Sequence, residues 1–317
     1  MIRRLLIVGA LAVAALAIAG EELPNMASPP GVLAESIRGM RPHYGPQRVA
    51  EVPNEAAIVR RLWVPGLDGG FDPQGLAVAD GAILISGYSS TALGVHRGPC
   101  RVFRLDPDSG RDTAHLDVPP PCGHAGGVAD DGEGGMLYVA DTKMLFATLL
   151  RQAFTDRALP FGGRPLGDGV VGALAMSGAG AIWLGTYREK EGGRLYRFAT
   201  DRIAHLPYGA PLTVADAEAR VPIPSYAQGA AIDRDGDLWV ARSDTRWGEL
   251  DRLDAKTGAV LKRYKVPPQI EGIAFDPSGR LWAVSEAGVR HDYDNFFVRQ
   301  VTPFFPLVYA IDPAKLE

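Results

Sequence analysis

The sequence predicts an all-β fold, a β-propeller of five four-stranded blades with six as the alternative count, and three observations predict it. First, five segments of the 317 residues repeat one pattern, an apolar segment opened by a Gly or Ala, then a turn, then a second short strand that usually carries Trp or Tyr. The copies read QGLAVADGAILISGY from Gln74, GGVADDGEGGMLYVAD from Gly126, GALAMSGAGAIWLGTY from Gly172, QGAAIDRDGDLWVARS from Gln228 and EGIAFDPSGRLWAVSE from Glu271. Second, they recur at roughly forty to fifty-five residues, the length of a blade, which stacks on its neighbours because none buries its faces alone. Third, one strand near each end lacks partners of its own. Ala57 to Val64 (AIVRRLWV) has no inner strands before it, and Leu307 to Ile311 (LVYAI) reads as the third strand of a blade whose fourth is missing. Pairing the two would close the ring and remove an open sheet edge.

In chain order, Arg3 and Arg4 precede an apolar run from Leu5 to Ala19, and Ala17-Ile18-Ala19 offers the small residues a signal peptidase reads. Residues 1–19 are therefore expected to be a cleaved signal peptide, with an uncleaved anchor as the alternative, and the mature protein to be periplasmic or secreted. Residues 20–55 hold several prolines and no sustained period, which predicts a linker or extended arm with one helical turn near Ala34 to Arg38. The propeller then occupies residues 56–317. Its aromatic positions Tyr138, Trp183, Trp239 and Trp282 fall at matching places in the repeat, where a ring packs between blades. The stretch from Leu206 to Pro224 is the one long enough to hide extra strands. DRDGDLW at Asp233 to Trp239 alternates carboxylates as a calcium loop does. The aligned DPSGRLW occupies the same strand-to-strand turn, so Asp233, Asp235 and Gly236 are assigned to turn geometry instead.

The chain has two cysteines, an even number that favours a bond in an exported protein. Cys100 opens the third strand of the first blade and Cys122 follows its fourth, so antiparallel pairing sets them side by side and predicts a disulfide. A net charge of -4 without Lys/Arg runs gives no electrostatic footprint for nucleic acid or acidic lipid. The expected partner is a small polar molecule or an exported protein, with no membrane contact beyond the N-terminal segment, and the chain is expected to be a monomer.

Geometry locates the chemistry. In each blade the inner strand starts on the face where the second strand ends, so residues at those two places converge. The starts are Gln74, Gly126, Gly172, Gln228 and Glu271, with His124 just upstream of the second. The ends are Tyr88, Asp141, Thr186 with Tyr187, Arg242 with Ser243, and Ser285 with Glu286. Gln74, Tyr88, His124, Tyr187, Gln228 and Arg242 are the expected ligand-binding set, and His124 and Glu286 the candidates for moving a proton. The loops on this face are long in the first blade (YSSTALGVHRGPC) and longest in the last (EAGVRHDYDNFFVRQVTPFFP). There Phe296, Phe297, Phe304 and Phe305, mixed with Arg290, His291, Asp292 and Asp294, would form a lid or pin the loop to the surface.

Through EGIAFDPSGRLWAVSE and LYVAD, residues 57–317 resemble the SMP-30/gluconolactonase and strictosidine-synthase-like propellers, with a weaker likeness to NHL and streptogramin-lyase-type propellers. The first resemblance implies hydrolysis of lactones or esters assisted by calcium, with the metal held by Glu271 and Asp141. Two functions follow. One is a noncatalytic rim that binds a small polar ligand, a glycan or a protein. The other is a calcium-assisted hydrolase in which Glu271, Asp141 and Glu286 hold the ion and His124 or a carboxylate moves the proton. No phosphate loop, nucleophile elbow or His/Cys metal cluster points to another enzyme class.

Overall fold

Short strands, nearly all buried near the axis and alternating between buried and exposed at the rim, build five antiparallel four-stranded sheets and one two-stranded sheet in the computed structural model, which describes residues 31–90, 98–133 and 135–317. Blade 1 comprises Phe71–Ala79, Ala82–Ser89, Cys100–Leu105 and Asp112–Val118, and blade 2 Gly127–Asp130, Met136–Ala140, Met144–Leu149 and Gly162–Pro165. Blade 3 comprises Leu174–Gly178, Ala181–Gly185, Gly193–Ala199 and Ala219–Ile223, and blade 4 Ala227–Ile232, Leu238–Asp244, Trp247–Leu253 and Val260–Val266. Blade 5 takes Ile270–Phe275, Leu281–Ser285 and Leu307–Ile311 from the C-terminal part and its outer strand, Ile58–Trp63, from the other end. The blade count is five. The stretch that could have hidden a sixth supplies the outer strand of blade 3 instead.

The ring closes twice. Each inner strand lies against the next, and the fifth lies against the first. Covalent continuity is then backed by the shared blade, where Leu307 pairs with Trp63, Val308 with Leu62, Tyr309 with Arg61 and Ala310 with Arg60. Leu62, Trp63, Leu307 and Tyr309 are all buried, and burying each large apolar side chain contributes roughly 1.5–3 kcal/mol. The paired strand also hides a row of backbone donors and acceptors that would otherwise invite another chain.

Residues 31–57 lie against blade 5 as an ordered arm. Val32–Leu33 pairs with Arg48–Val49, a single 3-10 turn covers Ala34–Ser36, and the Trp63 amide donates to the Arg38 carbonyl at 2.9 Å. The N-terminal apolar run and its expected cleavage site lie outside the described residues. No helix among the described residues is long and apolar enough to cross a membrane.

The Gly that follows four of the five ring residues reflects how closely the inner strands meet at the axis. A Cβ on Gly272 would sit 2.1 Å from the Leu76 amide nitrogen of blade 1, and one on Gly75 would sit 2.6 Å from the Val128 nitrogen of blade 2. No side chain fits there. Away from the axis, Trp239 and Trp282 are buried, and each indole donates to the aspartate that opens its turn, Asp233 at 2.8 Å and Asp276 at 3.0 Å. Asp233 also accepts from the backbone of Asp235 and Asp237, as turn geometry requires. Cys100 and Cys122 form the expected disulfide, with Cα atoms 5.9 Å apart.

Candidate functional site

Three of the five inner strands carry a register shift at the ring position. It falls between Pro73 and Gly75 in blade 1, between Ala227 and Gly229 in blade 4, and between Ile270 and Ile273 in blade 5. The extra residue in a bulge is unpaired and its side chain is re-aimed. Gln74, Gln228 and Glu271 occupy these bulges. Their side chains line a central pit of about 580 Å³, together with Tyr88, His124, Tyr187 and Glu286. The same pit takes in Asp72, Glu189, Gln269, His291 and Asp292, none of which had been singled out as ligand-binding from the sequence.

Acids dominate. Asp72 is fully buried and Glu271 is 3 % exposed. Asp72 and Glu286 lie within hydrogen-bonding reach of one another, which two carboxylates achieve only when one keeps its proton. Burial pushes the Asp72 carboxyl up to about 7, against the opposing hydrogen bonds from Glu286 and Tyr88. Burial and then the neighbouring Asp72 charge hold Glu286 well above the ordinary carboxylate range, and burial and then Glu286 do the same for Glu271. Gln74 steadies the pair, its Nε2 donating to Glu286 Oε2 at 2.7 Å and to the Pro73 carbonyl at 3.1 Å.

The lid reaches the pit through two residues of the short helix Arg290–Asp294. His291 Nδ1 is 3.6 Å from Asp72 Oδ2, and its Nε2 is 3.4 Å from Asp292 Oδ1. Gln269 Nε2 donates to Asp292 Oδ2 at 3.0 Å. Of the four lid phenylalanines, Phe304 and Phe305 are buried and pin the loop, whereas Phe296 and Phe297 of the helix Phe296–Val301 are exposed. The tip of the long first-blade loop lies outside the described residues.

Arg242 and Asp141 do not join the site. Arg242 pairs across its blade with Glu249, donating to Oε2 at 2.7 Å and to the Ser225 carbonyl at 2.8 Å. Strand alternation turns it along the sheet instead of into the ring. Asp141 Oδ1 accepts the backbone amides of Gly123, His124 and Ala125 at 3.3, 2.7 and 3.0 Å. Its acceptor capacity serves the segment that carries His124. Among the described residues, the one group of three Asp, Glu, His or Cys ligand atoms within 4.8 Å of one another is Cys100, Cys122 and Asp141, and its two sulfurs are bonded to each other. Asp141 and Glu271 share no such group among the described residues, and of the two only Glu271 lines the pit. His124 and Glu286 both line the pit.

No protein-family model matches this sequence, and comparison with curated proteins finds no match. Solved propellers do match by shape. The glutaminyl cyclase of Myxococcus xanthus superposes with a TM-score of 0.52 at 15 % identity, covering 80 % of this chain and 94 % of its own. A calcium-binding regucalcin from Agrobacterium tumefaciens reaches 0.43 at 18 % identity over 80 % and 93 % of the two chains, and a PQQ-bound aldose sugar dehydrogenase from Streptomyces coelicolor reaches 0.40 at 17 % over 73 % and 81 %. At such identities the likeness to the cyclase shows the fold alone.

Proposed function

We propose that this protein is an exported propeller whose central pit binds a small organic cation. The observation that carries the reading is the charge of the lining. Asp72, Glu189, Glu271, Glu286 and Asp292 face one cavity, and among the described residues that line it there is no Lys or Arg. Buried carboxylates with no ammonium or guanidinium beside them repel one another and lose hydration, so an incoming positive charge relieves both costs. An anion would add to them. The pit is of small-molecule size, and the arginine expected at the ring is engaged with Glu249 and Asp251 elsewhere. Export is supported by the N-terminal Arg-Arg and apolar run and by the disulfide.

The test is a thermal-shift series on the protein lacking residues 1–19, with small amines, carboxylates of matching size, neutral sugars and calcium chloride. A ligand that binds only the folded state raises the melting temperature by mass action. Organic cations are expected to raise it and carboxylates to leave it unchanged. Stabilisation by carboxylates or sugars as large as that by amines would overturn the reading, and stabilisation by calcium alone would return the site to metal chemistry.

A further inference from the structure

The hydrogen-bonding character of the pit narrows its ligand, provided the cation reading above holds. Three residues that line it each carry a buried acceptor atom without a hydrogen-bond partner: Asp72 Oδ2, Gln269 Oε1 and Glu271 Oε1. The Gln269 amide is oriented by chemistry, since its nitrogen must face the acceptor-only Asp292 carboxylate and its oxygen is thereby the atom left over. Glu271 occupies the bulge of one inner strand, Gln269 immediately precedes that strand, and Asp72 lies on the inner strand against it. Buried acceptors left without donors are rare in folded proteins and cost stability, so they mark a place where a donor is to arrive.

We infer that the pit is built for a primary ammonium group, whose three N–H donors are taken by Asp72, Gln269 and Glu271. A primary ammonium offers three donors, one positive charge and no acceptor, which is the complement of this lining. A quaternary ammonium carries the same charge with no donor and relies on aromatic faces. The rings available to it here are those of Tyr88 and Tyr187, and Tyr88 already turns towards His124 with ring centroids 5.8 Å apart. A neutral alcohol supplies one donor and leaves the carboxylate charge unrelieved.

The experiment uses three probes of equal chain length, n-hexylamine, hexyltrimethylammonium and 1-hexanol, titrated into the folded protein by calorimetry at pH 8. Hexylamine is expected to bind at least tenfold more tightly than hexyltrimethylammonium, and Glu271→Gln to remove most of that preference. Equal affinity for the two cations would overturn the primary-ammonium assignment and leave the cation pit standing. Hexanol binding as tightly as either cation, or no binding by any probe, would overturn both. Should Glu271→Gln fail to fold, the Gln269 side-chain amide resonance in the unaltered protein decides the question. Hexylamine must shift it and hexyltrimethylammonium must not; the opposite pattern would overturn the assignment.

Discussion

Replacing Asp72 by Asn should make the propeller more stable at alkaline pH, although Asp72 is completely buried and hydrogen-bonded. Its carboxyl titrates near pH 7 in the folded protein against an ordinary value of 3.8. A carboxyl raised in the folded state binds more protons there than in the unfolded chain. Its contribution is therefore whole below about pH 4 and is lost as pH rises through about 7. Three pKa units at 1.36 kcal/mol each amount to about 4 kcal/mol, and because the proton is shared with Glu286 the part that belongs to Asp72 is on the order of 2–4 kcal/mol. Asn keeps one oxygen to accept from Tyr88 and supplies an amide to donate towards Glu286, without the charge. At about 2 °C per kcal/mol for a domain of this size, Asp72→Asn should melt roughly 4–8 °C above the unaltered protein at pH 8, with the difference shrinking towards zero at pH 4. Circular-dichroism melts across that range measure it. Parallel curves for the two proteins, or a variant less stable at pH 8 than at pH 4 relative to the parent, would refute the reasoning.

Asp141→Ala should cost on the order of 3 kcal/mol by stranding the amides of Gly123, His124 and Ala125, whereas Asp141→Asn, which retains an acceptor oxygen, should recover most of it in denaturant melts with or without calcium. A full loss in both variants that calcium reverses in the parent would argue for metal ligation instead. Gly272→Ala places a Cβ 2.1 Å from the Leu76 nitrogen, so it should force the inner strands of blades 5 and 1 apart and lower stability by about 1–3 kcal/mol. An unchanged melting temperature would show that the axis has slack.

The parts of this architecture that sequence reveals are those governed by short-range periodicity. Trp239 and Trp282 stand the same distance after their turn aspartates, and the half-blade Leu307–Ile311 advertises a missing neighbour that Ile58–Trp63 supplies. Gln74, Gln228 and Glu271 were visible because each precedes a Gly where neighbouring strands touch. Asp72 and Gln269 each lie two residues before a ring residue, but the bulges at Gln74 and Glu271 break the alternation by which sequence spacing would place them, so only the fold brings them to the pit. His291 and Asp292 belong to the loop from which the sequence predicts a lid, and only tertiary packing of the helix Arg290–Asp294 puts them against Asp72 and Gln269. Arg242 illustrates the converse error. It stands near the end of a second strand, yet its cross-strand neighbour Glu249 takes the guanidinium.

The acids of this protein divide by what fills their lone pairs. Asp276 is partly buried, yet donors from Ser278, Trp282 and the Arg280 backbone outweigh that burial and hold its carboxyl below the ordinary value. Asp141 likewise spends its oxygen on three amides. Such groups stabilise the turns and segments they organise, and a fold alone accounts for them. Asp72, Glu271 and Glu286 have the opposite character, since burial and mutual charge raise all three. A propeller with neutral side chains at these positions would be more stable, so the fold supplies no reason for the acids. Groups held at such a cost gather where a ligand or a reaction needs them. That the costly acids meet in one cavity while the satisfied ones are spread through turns separates the functional carboxyls from the structural ones on physical grounds.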